Sequence, residues 1–143
     1  MCLENIKKID QEIKILPVIK KSELEKYKEL CKNHDTIKPI YGGKTRQESV
    51  FNALQNLSEQ NIAKVLIHDV ARPIICKHVI KNLLKSYNKN FSCIVPYLNV
   101  SDSIRILDKK DNFKFLDKKL CKLLQTPQLC NFNDLYKAHK LTK

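Results

Sequence analysis

The stretch Lys64-Val65-Leu66-Ile67-His68-Asp69-Val70-Ala71-Arg72-Pro73 joins the plainest strand in the chain to its most concentrated polar cluster. Residues 64–68 are almost continuously apolar, the pattern of a strand buried on both faces, which is how strands of a parallel sheet covered by helices read. A carboxylate and a guanidinium follow immediately past its end. In open α/β sheets ligands bind just there, outside the carboxyl ends of the strands.

Downstream, Val79, Ile80, Leu83 and Leu84 recur at helical spacing and predict an inward-facing helix over about 77–87, followed by a strand over 92–97. Upstream, Val50, Leu54 and Leu57 mark another helix. The strand before it, 37–41, is broken by Gly42-Gly43, since paired glycines allow backbone angles closed to other residues. Earlier still, the apolar run 13–19 reads as a strand ending near Pro17. Ser22-Glu23-Leu24-Glu25 has the spacing of a capping box that opens a helix to about residue 32. Strands alternating with helices at these intervals predict an α/β fold built on a parallel sheet with helices on both faces.

Beyond Asn99 the pattern changes. Ile104, Ile106 and Leu107, then Phe113, Phe115 and Leu116, flank Asp108-Lys109-Lys110-Asp111-Asn112, which reads as a β-hairpin projecting from the sheet. Residues 123–127 return as a strand, and Asn133 is the expected cap of a final helix.

At 143 residues, with 43% hydrophobic and 29% charged, the chain has the length and composition of one folded domain. Its net charge of +12 favours an anionic partner. The excess is lysine scattered through every segment, the only arginines being Arg46, Arg72 and Arg105, and such scatter is that of a solvated surface rather than a nucleic-acid stripe. Six cysteines without a C-x-x-C pair indicate neither a zinc site nor a disulfide framework, and reduced thiols in a cytoplasm are expected. Cys76 and Cys93 lie among apolar residues and read as small core hydrophobes. No apolar run approaches the roughly 20 residues that span a bilayer, so no membrane partner is expected.

Three polar clusters fall at strand ends. Gly42-Gly43-Lys44-Thr45-Arg46-Gln47-Glu48-Ser49 offers close backbone approach and a helix start to an anionic ligand, or is an ordinary tight turn. Asp69 and Arg72 can hold hydroxyls and phosphate, or pair with each other as a structural ion pair. His68 at the strand end is a packed or hydrogen-bonded histidine more readily than a catalyst. The third cluster is Ser101, Asp102, Ser103 and Arg105, followed by Asp117-Lys118-Lys119 and Gln125-Thr126-Pro127-Gln128. Separately these are solvated turns.

Their order carries more. G-G-x-x-R-x-x-S from Gly42, I-H-D-x-A-R-P from Ile67, P-x-x-x-x-S-D-S-I-R from Pro96, L-D-K from Leu116 and Q-T-P-Q from Gln125 together resemble the 2-C-methyl-D-erythritol 4-phosphate cytidylyltransferase family. The likeness runs from about Ile13 to His139. It implies a Rossmann-like nucleotidyltransferase domain, a three-layer α/β/α sheet with a hairpin arm at about 99–118. The implied reaction transfers a cytidylyl group from CTP to the acceptor phosphate and releases pyrophosphate, with Mg²⁺ and cationic side chains stabilising the transition state.

Carried over by position, Gly42, Gly43, Lys44 and Ser49 match the cytosine-recognising part. Asp69 and Arg72 match the part that holds acceptor hydroxyls and nearby nucleotide groups. Ser103, Lys118 and Thr126 match positions around the acceptor phosphate. The family's arm crosses to a partner subunit, which implies a homodimer with composite sites. Lys118 stands where an arginine is usual and Ser103 where a threonine is usual; the first change replaces a rigid fork by a point charge.

Family members also begin with a strand and a glycine-rich loop carrying an Arg and a Lys. The only two glycines here are already placed, so that loop is expected to be missing, as are the T-D-E segment and the later lysine of the family's carboxyl end. A chain truncated at both ends, weakened or inactive by itself, is the expectation. A non-catalytic remnant that binds acceptor or dimerises is the alternative, and a basic nucleic-acid binder the remaining one.

Overall fold

The computed structural model describes residues 2–9, 13–32, 37–88 and 90–142. Helix α1 (Cys2–Ile9) is tied to the chain after the 64–68 strand by Asn5, whose Nδ2 donates to the Pro73 carbonyl at 2.9 Å. The first strand, β1 (Val18–Ile19), starts after Pro17 instead of ending there. Proline has no N–H to give a ladder, but its carbonyl accepts from Ile40 N at 2.9 Å, which suits it to a strand entrance. A 3₁₀ turn (Lys21–Glu23) then leads into α2 (Leu24–Leu30). The capping box expected at Ser22 does not form, because Ser22 lies inside that turn rather than ahead of the helix, and Glu25 pairs with Lys28 at 2.8 Å.

β2 (Ile40–Tyr41) pairs in parallel with β1, Val18 opposite Ile40 and Ile19 opposite Tyr41. Next comes α3 (Arg46–Leu57), and here a capping box is present: Thr45 Oγ1 accepts from Glu48 N at 3.1 Å while Glu48 Oε2 accepts from Lys44 N at 2.6 Å. Neither glycine of the preceding pair has positive φ, so conformational freedom is not what places them. Close approach is: a Cβ on Gly42 would lie 2.6 Å from Ser49 Oγ, and one on Gly43 would run into Glu48.

β3 (Lys64–Ile67) and α4 (Lys77–Ser86) follow as expected, except that Leu84 points outward at 45% exposure while its neighbour Leu83 is buried. One step along a helix turns about 100°, and the face is already filled by Ile80 and Leu83. The strand expected over 92–97 divides at Pro96 into β4 (Cys93–Ile94) and β5 (Tyr97–Asn99). β6 (Ile104–Leu107) and β7 (Phe113–Leu116) make the expected hairpin, in register from Ile104–Leu116 to Leu107–Phe113. Its turn is closed by Asp108, whose Oδ1 accepts from Lys110 N and Asn112 N, and by Asp111 at φ 59°.

The return segment 123–127 is likewise not one strand. β8 (Lys122–Leu124) pairs with β5 at the base of the arm, and β9 (Gln128–Asn131) enters the sheet. β9 runs antiparallel between β3 and β4, giving the order β3-β9-β4. β3 and β4 therefore point the same way, as a parallel sheet requires, but are separated by a reversed strand whose Leu129 and Cys130 are almost fully buried.

That insertion corrects the reading of the cysteines. Cys93 and Cys130 face each other across β4 and β9 with Cα atoms 4.0 Å apart and are joined as a disulfide. Asn131 N donates to Ser92 O, so Cys93 and Cys130 form a non-hydrogen-bonded pair, the closest approach in an antiparallel ladder. Cys76 is exposed rather than a core residue. The last helix, α5 (Phe132–Leu141), is capped by Asn131, whose side chain accepts from Asp134 N, while Asn133 lies within its first turn. α3 and α5 pack through Phe51 and Tyr136, ring centroids 5.9 Å apart, with Leu54 and Phe132 buried nearby in the same core.

Candidate functional site

The residues of the glycine cluster form a concave wall. Gly42, Gly43, Lys44, Arg46 and Ser49 line a 240 Å³ cavity together with Val18–Ile19 of β1 and Lys20. Ser49 shapes this loop from within: its Oγ accepts from Gly43 N at 3.1 Å and donates to Thr45 O at 2.8 Å. The Gly42, Gly43 and Lys44 amides are thus engaged, by the Ile19 carbonyl, Ser49 Oγ and Glu48 Oε2.

Asp69 lies just past β3, and its partner is Arg46. The guanidinium Nε and Nη2 each reach Asp69 Oδ1 at 3.0 Å, from the first residue of α3. The Asp69–Arg72 ion pair that the loop alone suggested is not formed. The two residues meet only through the backbone, Arg72 N donating to Asp69 O at 2.9 Å, while the Arg72 side chain donates to Gln125 Oε1. Asp69 N in turn donates to Thr126 Oγ1 at 3.3 Å, and that hydroxyl lies 3.1 Å from His68 Nδ1. His68 Nε2 is 2.8 Å from the Arg72 carbonyl.

Asp69, Arg72 and Thr126 are thus brought together, and Arg46 links them to the Gly42–Ser49 loop. Ser103 and Lys118 stand apart. Lys118 Nζ donates to the Ser101 carbonyl at 2.6 Å, at the edge of a 310 Å³ hollow shared with Asn99, Val100, Lys119 and Lys122. Among the described residues no hydrogen bond or ion pair joins Ser103 or Lys118 to Asp69, Arg72 or Thr126. Sequence reasoning passed over Arg46, His68 and Gln125 as site residues, although each stands inside a motif that was recognised. The available signal was position: Arg46 opens a helix one turn after the glycines, and His68 and Gln125 end or follow strands.

Mg²⁺ takes hard oxygen ligands in near-octahedral array. Among the described residues no three Asp, Glu, His or Cys side chains converge, and Asp69 and Glu48 are already engaged by Arg46 and by the Lys44 amide. These residues thus form no all-protein Mg²⁺ cage; a Mg²⁺ ion here would take most of its ligands from water and substrate phosphates. No helix among the described residues is long and apolar enough to cross a membrane.

A family profile described as 2-C-methyl-D-erythritol 4-phosphate cytidylyltransferase matches residues 2–143. A protein of that name from Dictyoglomus thermophilum is 35% identical over 143 aligned residues, covering 96% of this chain and 60% of its own length. Another, from Clostridium kluyveri, is 38% identical, covering 89% of this chain and 56% of its own length. The chain therefore spans less than two thirds of these relatives. The crystal structure of 4-diphosphocytidyl-2C-methyl-D-erythritol synthase from Anaerococcus prevotii superposes with TM-score 0.84 at 22% identity, over 99% of this chain and 62% of that one, which establishes the α/β nucleotidyltransferase fold. Since the profile extends over essentially all of the sequence, and the ordered motifs fall on the loops just described, the chain belongs to the 2-C-methyl-D-erythritol 4-phosphate cytidylyltransferase family.

Proposed function

We propose that the chain supplies the base-binding and acceptor-binding walls for cytidylyl transfer from CTP to 2-C-methyl-D-erythritol 4-phosphate, with release of pyrophosphate. The observation that carries this reading is the Arg46–Asp69 clasp, which fixes the loop at Gly42–Ser49 against the loop at Asp69–Arg72. Cytosine presents an exocyclic amine, a donor, and the glycine loop, its Gly43 and Lys44 amides occupied, meets it with carbonyls. Asp69 accepts acceptor hydroxyls, Arg72 forks onto phosphate, and Thr126 closes the same wall. Lys118 and Ser103 serve the acceptor phosphate from the arm.

In this reading the arm docks on a second copy of the chain. Phe113 and Phe115 are 72% and 66% exposed, and Leu120 is 80% exposed. A homodimer buries that apolar surface and brings Lys118 and Ser103 of one protomer to the Asp69 wall of its partner.

Purified chain is expected to bind CTP and the methylerythritol phosphate in calorimetric titrations, and any pyrophosphate it releases with Mg²⁺ is expected to be saturable in both. If neither release nor calorimetric binding of either substrate is found, the reading fails. Binding of acceptor without release reduces the chain to a non-catalytic binding remnant.

A further inference from the structure

The hydrogen bonds around His68 have only one consistent set of directions for a neutral imidazole. The Arg72 carbonyl can only accept, so Nε2, 2.8 Å away, carries the proton. Nδ1 is then a lone pair, and the Thr126 hydroxyl 3.1 Å from it donates its single proton there. Thr126 Oγ1 keeps a lone pair for Asp69 N–H at 3.3 Å. The chain of donors runs from the Asp69 amide to the Thr126 hydroxyl to His68 Nδ1, and from His68 Nε2–H to the Arg72 carbonyl.

We infer that His68 is a positioning residue of the acceptor wall, holding the Asp69–Arg72 loop in register with Thr126 through its Nε2–H tautomer. The inference rests on the function proposed above for Asp69, Arg72 and Thr126. Thr126 is 58 residues away in sequence, where the chain returns from the arm; the β3–β9 ladder that brings the two segments together ends at Ile67–Gln128, and beyond it they are joined through side chains, His68 among them. His68 meets both ends of the loop it braces: it is bonded to Asp69 in sequence and to the Arg72 backbone in space. Gln125, beside Thr126, receives the Arg72 side chain, so the same return segment is held at two adjacent residues. A histidine that merely filled space at the strand end needs neither nitrogen directed at a residue of the wall.

The test uses the full chain and three variants. His68→Phe keeps a ring and loses both bonds; His68→Asn retains an amide oxygen near the Nδ1 position to receive the Thr126 hydroxyl; His68→Gln retains a donor near Nε2. Long-range proton–nitrogen spectra of the wild type are expected to show the Nε2–H tautomer. His68→Phe is expected to raise the KM for the methylerythritol phosphate about tenfold, with the KM for CTP within about twofold, since ligand misplacement rather than loss of a contact is at issue. His68→Asn and His68→Gln each recover part of that loss, which a purely structural role, read as a lowered urea midpoint with unchanged KM, does not predict. An Nδ1–H tautomer, or an unchanged acceptor KM in His68→Phe, overturns the inference. Should the wild type transfer no cytidylyl group and bind neither substrate, the functional reading fails separately. The tautomer, and a shift of the Thr126 methyl signal in His68→Phe that is partly restored in His68→Asn, then decide the brace by themselves.

Discussion

The segment from Tyr97 to Thr126 and the body that flanks it use similar sequence patterns for opposite ends. Both carry apolar residues at regular intervals, in short strands and, in the body, in helices as well. In the body these give a core: Phe51, Leu54, Ile75, Ile80, Leu83, Leu129, Cys130 and Phe132 are each exposed by 9% or less. Between Tyr97 and Thr126 no residue is buried, and Tyr97, Leu98, Ile106, Leu107, Phe113, Phe115, Leu120, Leu123 and Leu124 are all exposed. A two-stranded ribbon has two faces and no second layer, so its apolar face finds cover only on another surface. Apolar alternation thus reports that a face will be buried, not by what.

The comparison can be broken most forcefully in the core. Leu129→Ala, at a site 1% exposed, is expected to cost about 2–5 kcal/mol in urea unfolding, because it removes contacts and leaves a cavity against one face of the β3-β9-β4 sheet. Reducing the Cys93–Cys130 bond, which closes a separation of 37 residues, is expected to cost about 2–4 kcal/mol by the same measurement. In the arm the expectation reverses. Phe113→Ser with Phe115→Ser changes monomer unfolding by under about 0.5 kcal/mol, as surface changes usually do, yet shifts sedimentation from dimer to monomer. If that double variant destabilises the monomer as much as Leu129→Ala does, the arm has a core of its own and the contrast is false.

The smallest expected effect concerns pH. His139 stacks on Phe51 at 6.1 Å, its Nδ1 is buried with no partner, and burial lowers its pKa from the ordinary 6.5. The unfolded chain binds the proton more readily, so folding loses stability as pH falls below about 6.5, and the loss levels off below the lowered folded value. His139→Phe should flatten that part of the pH–stability curve.

How much of this was legible follows from the distance over which each feature is specified. The hairpin at 104–116 was, because its turn residues and flanking alternation are local. The helix α4 was, to within a residue, and α3 was as an element without bounds, for the same reason. The place of β9 was not: Val65 opposite Cys130 is a pairing across 65 positions, and nothing near either residue announces it. The disulfide was missed with it, since Cys93 and Cys130 become neighbours only once that register exists. Asn131 and Asn133 offer the same side chain two positions apart, and only the extended backbone at Asn131 distinguishes the cap. At the candidate site, Asp69 and Arg72 were singled out from chain order, but their partners Arg46 and Gln125 depend on which loops face each other.

Among the described residues β1 and β2 share no ladder with β3-β9-β4; α3 packs against both strands of the small sheet. Two parallel residue pairs are a poor cooperative unit, so the amides of this pair belong among those that exchange by local opening rather than by global unfolding. One wall of the cavity at Gly42–Ser49 is made of that pair and the other rim is held to Asp69 by Arg46. Occupancy of the cavity therefore orders that pair, and hydrogen exchange at the Gly42 amide, which donates to the Ile19 carbonyl at 2.9 Å, becomes a gauge of ligand that needs no turnover at all.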